Sequence, residues 1–251
     1  NPLPVVNLTV TENSGNTAND GEVCEGDPFT LSATAGAVTY SWERNGGPIA
    51  GSTNTLNIAS AAIGVNDGLY EVFYEDANGC INSDVITITA RPNPVTNDTE
   101  LKECANGAPT ATFTLTDAEL APGFPATNSN DGADIDNGAA NVTVTYHTSL
   151  ANANAGTAVI GPNYNAANNT IVYARVENNT TGCFTVAEVT LILNANPTNL
   201  EIQNVNNGNS PANFTVCQGD NINLTNSVTT GQAPYTYNWD LPNGSTATGI
   251  N

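Results

Sequence analysis

One five-residue stretch occurs twice in this chain. Val23-Cys24-Glu25-Gly26-Asp27 returns as Val216-Cys217-Gln218-Gly219-Asp220. Each copy is followed by a leucine at the same offset, Leu31 and Leu224. Each is closed by a Tyr-x-Trp, Tyr40-Ser41-Trp42 and Tyr237-Asn238-Trp239. Cys, Leu and Trp in one order over about twenty residues make an internal repeat, so the chain reads as an array of similar units. Its 251 residues suit about two to three small domains. The second copy has little sequence after its Tyr-x-Trp, so the expectation is a last module cut short and an internal piece of a longer precursor.

The units are built of strands. Asn, Thr, Ser and Gly make up much of the polar sequence; they disfavour helix interiors, whereas Thr suits strands and Asn and Gly suit turns. Phe29-Thr-Leu31-Ser-Ala33 and Val38-Thr-Tyr40-Ser-Trp42 alternate apolar and polar residues, as half-buried strands do. Arg44-Asn-Gly-Gly-Pro48 is a turn cluster. Thr55–Ile58, Leu69–Tyr74 and Val85–Ala90 complete a first set of strands. Thr112–Leu115, Val142–Tyr146, Ile171–Val176 and Val186–Leu193 form a second set. Short strands at this spacing, divided by turn signals, predict antiparallel sandwiches. Ala90-Arg-Pro-Asn-Pro94 and Asn194-Ala-Asn-Pro197 are proline-stiffened linkers. The expected organisation is a row of all-β, immunoglobulin-like antiparallel sandwich modules at 1–91, 92–196 and 197–251, the last incomplete at its C-terminal side.

The first module resembles an immunoglobulin-like domain in its details. Glu25-Gly26-Asp27…Leu31-x-Ala33 is similar to strand B, and Trp42 stands where the core tryptophan of strand C stands. Asp67-Gly68-Leu69-Tyr70-x-Val72 resembles the tyrosine corner before strand F. The positions of the usual inter-sheet cystine hold Ala33 and Val72 instead. Cys24 precedes strand B and Cys80 follows strand F, so any bridge ties module edges. There are five cysteines, none in a C-x-x-C pair of the kind that holds zinc or does redox chemistry. Their wide spacing reads as one disulfide per module, Cys24–Cys80 and Cys104–Cys183, leaving Cys217 unpaired within this segment.

A wider resemblance covers nearly the whole chain. Thr143-Val-Thr-Tyr146-His-x-Ser-Leu150-Ala-Asn-Ala, Ile171-Val-Tyr-Ala-Arg175-Val-Glu-Asn and Thr181-Gly-Cys183-Phe are similar to repeats of very large surface adhesins of Bacteroidetes. The first and third modules resemble the immunoglobulin-like or PKD-like repeats that alternate with them. The resemblance implies export by the type IX secretion machinery, an extracellular, cell-surface location, and an adhesive or spacer role in attachment or gliding motility. The implied partner is a surface polysaccharide or other cell-surface ligand. Two other readings stay open: an ancillary carbohydrate-binding region of a secreted polysaccharide-degrading enzyme, and a subunit of an extracellular filament.

Charge and motifs narrow the chemistry. Four Lys and Arg stand against 24 Asp and Glu, a net charge of −20. Nucleic-acid binding needs a basic footprint, which this chain lacks. The same charge repels anionic membranes, and no apolar run approaches the roughly 18 residues of a membrane-spanning helix. His147 is the only histidine, no G-x-S-x-G motif accompanies it, and no enzyme activity is expected. His147 should share a strand face with Thr143 and Thr145, opposite Val142, Val144 and Tyr146. The loop Asn128-Ser-Asn130-Asp131-Gly-Ala-Asp134-Ile-Asp136-Asn-Gly138 is the densest set of hard oxygens. Asn128, Asn130, Asp131, Asp134 and Asp136 are the candidate ligands for calcium, which takes six to eight such oxygens. Trp42 and Trp239 are expected in module cores, while Tyr164 and Tyr173 are candidate exposed rings for sugar contact.

Overall fold

In the computed structural model, residues 2–123, 128–196, 201–204, 224–227, 236–240 and 246–250 are described. The first strand set comprises β1 (Leu8–Thr11), β2 (Glu22–Cys24), β3 (Phe29–Ala33), β4 (Thr39–Arg44), β5 (Gly47–Ile49), β6 (Thr55–Ile58), β7 (Gly68–Glu75) and β8 (Ile81–Arg91). They form two sheets, ordered β1-β3-β6 and β2-β8-β7-β4-β5. Alternation decides which faces are buried: Phe29, Leu31 and Ala33 of β3 are buried, as are Tyr70, Val72 and Tyr74 of β7. Asn45 and Gly46, both at positive φ, turn β4 back into β5, the conformation a two-residue hairpin demands. One short strand runs against the rule: β2 lies parallel to the end of β8, Cys24 opposite Arg91.

The core of this set follows the immunoglobulin plan. Trp42 is 1% exposed, stands opposite Val72 and donates its indole N–H to the Thr53 carbonyl at 2.9 Å. Tyr70 packs edge-on against Phe29 at 6.1 Å and donates its hydroxyl to the Asn66 carbonyl four residues upstream. That is the tyrosine corner expected from Asp67-Gly68-Leu69-Tyr70. Burial pushes its phenol above the ordinary range. Ala33 and Val72, at the usual cystine positions, are buried in the same cluster as Trp42.

The second set repeats the plan. It comprises β9 (Thr99–Cys104), β10 (Thr110–Thr114), the 3-10 turn Leu115–Glu119, β11 (Val142–His147), helix α1 (Leu150–Ala155), β12 (Val159–Ile160), β13 (Asn163–Ala167), β14 (Thr170–Asn178) and β15 (Phe184–Asn194). The sheets are β12-β11-β14-β15-β9 and β10-β13. The five-stranded sheets correspond, β9 to β2, β11 to β4, β14 to β7 and β15 to β8, while the other sheet has two strands where the first set has three. Again the first strand is parallel to the last, Cys104 opposite Asn194. Helix α1 is short, six residues, begun by the Ser149 side chain accepting from Asn152 N–H and ended by Gly156 in the left-handed region.

Contacts divide the chain into two compact units, 1–98 with 134–160 and 173–188, and 99–133 with 161–172 and 189–251. In the latter, β16 (Glu201–Asn204) pairs with β17 (Leu224–Ser227) and β18 (Thr236–Asp240) with β19 (Thr246–Ile250), all antiparallel. Trp239 stands opposite Ala247. Cys217 and most of 197–251 lie outside the described residues. The fold is all-β, built of tandem immunoglobulin-like sandwiches.

The cysteine pairing differs from the expectation. Cys24 is bonded to Cys183, 159 positions away, with Cα atoms 5.5 Å apart. Cys80 and Cys104 are free. The reason is the length of the last strands. Cys24 faces the last residue of the eleven-residue β8, and Cys80 precedes its first. At about 3.3 Å per residue these ends are roughly 33 Å apart, whereas a disulfide tolerates Cα separations of at most about 7 Å. Cys104 and Cys183 are divided in the same way by β15. Neither Cys24–Cys80 nor Cys104–Cys183 can form in this fold.

Candidate functional site

The most built feature of the molecule is the ground around Cys24 and Cys183. Glu12, the residue after β1, is only 4% exposed. Its carboxylate accepts the N–H groups of Ser14 and Asp20 at 2.7 and 3.0 Å, and its own N–H donates to Asn19 Oδ1. A buried carboxylate is tolerated when its lone pairs are filled in this way. Ser14 continues the chain of bonds. Its hydroxyl donates to Asp27 and accepts the N–H of Cys24, both at 2.7 Å. The backbone that carries Cys24 is therefore fixed from within its own loop.

The other half is the turn between β14 and β15. Asn178 Oδ1 accepts from Thr180 and Thr181 N–H, and Gly182 N–H donates to the Asn178 carbonyl at 2.8 Å. Gly182 has φ +72°, which presents Cys183 at the tip. The two halves interlock beside the bridge. Asn16 N–H donates to the Thr181 carbonyl at 3.1 Å, and its side-chain amide donates to the Thr180 carbonyl at 2.9 Å. Two glycines permit the approach. A Cβ on Gly182 would lie 2.5 Å from Asn16 N, and one on Gly15 would lie 2.6 Å from the Thr181 oxygen. Both sulfur-bearing residues are buried, Cys183 at 1% exposure.

The strand ends flanking the bridge are tied as well. Glu25 N–H donates to the Arg91 carbonyl, and the Asn93 side chain donates to the Glu25 carbonyl. Arg91 pairs with Glu22, whose carboxyl is held below its usual range chiefly by that hydrogen bond. The first linker is anchored by Thr185, whose hydroxyl donates to the Pro94 carbonyl at 2.7 Å. Asp98 accepts from Glu188 N–H.

The other sequence-derived candidates fall elsewhere. Asn130 is fully buried. Its Oδ1 accepts from Thr99 and Gly132, and its amide donates to the Leu120 and Ala133 carbonyls. Asp131 is ion-paired with Lys102. Asn128 Oδ1 accepts from Asn130 N–H. Asp134 and Asp136 lie in the other compact unit, where each accepts a backbone N–H two residues on. Burial, followed by the hydrogen bond with Asp134, raises the Asp136 carboxyl. Among the described residues no three His, Cys, Asp or Glu side chains gather at one point where a cation would sit.

His147 is fully buried, on the face shared with Thr145 as expected. Its Nδ1 donates to the Thr157 carbonyl at 2.7 Å, and its Nε2 meets the Thr145 hydroxyl at 3.0 Å. Both ring nitrogens are engaged, Nε2 within β11 and Nδ1 in holding β11 to the segment after α1. Tyr164 and Tyr173 are half-buried, so neither is the exposed ring expected for sugar contact. A shallow groove of about 200 Å³ is lined by Thr143, Thr145, Arg175, Glu177 and Asn179, among others. Arg175 is committed there to Glu177 and to the carbonyls of Ala153 and Asn154, and it lies 3.3 Å over the Phe184 ring.

The strand order and the bridge define a tandem immunoglobulin-like protein stapled between its strand sets. Residues 100–197 match the family described as the Flavobacterium inter-domain disulphide bond domain. The matched segment contains Cys104 and Cys183, and the bridge from Cys183 leaves it for Cys24 in the preceding strand set. Both observations fit immunoglobulin-like repeats of Bacteroidetes. No curated protein matches the chain. Among solved structures, the chain is similar to the I67–I69 fragment of titin (10% identity, 96% of each chain, TM-score 0.32). It is also similar to three N-terminal domains of the outer capsid protein Hoc of bacteriophage RB49 (17% identity, 98% of this chain and 80% of that one, TM-score 0.31). A third is the insect immune protein hemolin (11% identity, 74% and 47%, TM-score 0.34).

Proposed function

We propose that this chain is a stalk segment of a secreted, multi-domain cell-surface adhesin, exported by the type IX machinery and serving attachment or gliding. The Cys24–Cys183 bridge carries the reading. A disulfide between consecutive sandwiches needs an oxidising compartment, and it resists the swivelling that inter-domain linkers otherwise allow. Such a device suits a protein that must hold a binding surface away from the cell. The charge of −20 keeps the stalk soluble and off anionic surfaces. The binding surface itself, for a polysaccharide or another cell-surface ligand, is assigned to the array and not to a residue of this segment. The test is protease shaving of intact cells, with deletion of the gene in parallel. Peptides of this chain should be released from whole cells, and the deletion strain should lose attachment to solid surfaces or gliding. Recovery of the chain only from lysed cells would contradict the location, and unchanged attachment and gliding would contradict the role.

A further inference from the structure

The bridge fixes where tension can run through the chain. Cys24 ends β2, and Cys183 immediately precedes β15. Every element from β3 to β14 lies within the covalent ring that the two sulfurs close. The ring spans 159 positions, yet its ends are 5.5 Å apart at the Cα atoms. A pull from beyond both cysteines therefore has two routes. The route through the sulfurs is short and covalent, so it tightens first and the folded route stays slack.

The elements on the short route are already extended. β15 runs eleven residues, Phe184–Asn194, with β14 and β9 on either side. A strand rises about 3.3 Å per residue, close to the roughly 3.3–3.6 Å that a fully stretched chain reaches. Tension between Cys183 and Asn194 thus acts on a strand with almost no length to give, and β14 and β9 need not part from it. On the other side of the bridge, three-residue β2 is extended in the same way. Slack is confined to the stretch before it. β1 is an edge strand, paired with β3 from Leu8↔Ala33 to Thr11↔Thr30. Between β1 and β2 the loop is folded back by the Glu12 carboxylate, which accepts from Ser14 and Asp20 N–H. Asn16 ties the same loop to the Thr180 and Thr181 carbonyls.

Building on the stalk reading, we propose that Cys24–Cys183 is a tension shunt. A pull along the array enters by the segment before Cys24, crosses the sulfurs and leaves along β15, and the strands from β3 to β14 bear none of it. The bridge then does more than join two sandwiches. It keeps both folded under a pull that would otherwise unravel them, and it limits how far the segment lengthens. With the bridge closed, the give is the release of β1 and its loop, a stretch from Leu8 to Cys24 of roughly 50–60 Å when straight. Opening the bridge frees the whole ring, roughly 520–570 Å of chain.

Single-molecule force spectroscopy on the whole chain of 251 residues, held at its two ends, tests this. The oxidised protein should lengthen less than the same protein in dithiothreitol, by roughly 520–570 Å. Cys24→Ser/Cys183→Ser should reproduce the reduced trace without reductant. Val72 and Val176 are fully buried in cores inside the ring, and truncating either opens a cavity. Val72→Ala and Val176→Ala should lower unfolding forces in the reduced protein and leave the oxidised trace unchanged. Equal lengthening in the two states, or lower forces in the oxidised variants, would overturn the proposal. Neither result bears on where the chain resides, which protease shaving of cells reads separately.

Discussion

Cys24 and Cys80 stand at opposite ends of one strand, β8, the first facing Arg91 and the second preceding Ile81. This separation forbids the one-bridge-per-module pattern and leaves Cys24 to a cysteine outside its own strand set. The partner of Cys24 is therefore Cys183, and the ring it closes spans 159 positions. For a ring of that size the chain-entropy model gives about 5 kcal/mol of stabilisation. The double variant Cys24→Ser/Cys183→Ser should lose about 3–5 kcal/mol in denaturant unfolding. A loss below about 1 kcal/mol would mean that the bridge adds little to the fold.

Gly182→Ala should prevent the bridge from closing. The added methyl would meet Asn16 N at 2.5 Å, and the residue would be held at φ +72°. The expected outcome is titration of two additional thiols in the unfolded chain and a stability loss of at least about 2 kcal/mol. An unchanged thiol count would show that the approach of the two loops is looser than described.

Glu12→Gln tests the loop that carries Cys24. The carboxylate accepts two backbone N–H groups, and an amide can supply only one oxygen. The loss should be about 1–3 kcal/mol, because hydrogen bonds to a buried charge are the stronger kind. Faster reduction of Cys24–Cys183 by dithiothreitol should accompany it. An unaltered reduction rate would separate the loop from the bridge.

The turn around Cys80 should respond to acid. Hydrogen bonds from the backbone N–H groups of Cys80 and then Asn78 hold the Asp76 carboxyl below its usual value. A carboxyl lowered on folding stabilises the turn above the unfolded pKa, and the contribution is lost as pH falls through the folded one. Amide exchange at Cys80 and Asn78, corrected for intrinsic rate, should show protection that disappears on acidification below the ordinary aspartate range. In Asp76→Asn the protection should no longer depend on pH there. A pH-independent wild type would contradict the assignment.

Much of the sandwich was legible in the residues. Alternation located β3, β4 and β11, because a half-buried strand has period two. Tyr70 was placed by its Asp-Gly-Leu-Tyr context, and Trp42 by its strand C position in the immunoglobulin resemblance and the repeat. His147 was put on the right face by counting from Val142. The bridge was not legible, for a physical reason. Pairing depends on which end of β8 and β15 each cysteine occupies, and that is set by the parallel contacts of β2 and β9. Three-residue β2 carries no periodic signal, and a parallel contact across the whole set leaves no local trace. The half-burial of Tyr164 and Tyr173 escaped for a similar reason, since both lie in alternating strands whose buried face depends on the partner sheet. The one available signal was the matched Gly-Cys context of Cys80 and Cys183, which marks equivalent positions and so argues against pairing either with its own module.

The most direct test of the account is disulfide mapping of this chain of 251 residues, oxidised, alkylated and digested without reductant. A linked pair of peptides containing Cys24 and Cys183 is expected, with Cys80 and Cys104 recovered as alkylated thiols. Linked peptides containing Cys24 with Cys80, or Cys104 with Cys183, would contradict it.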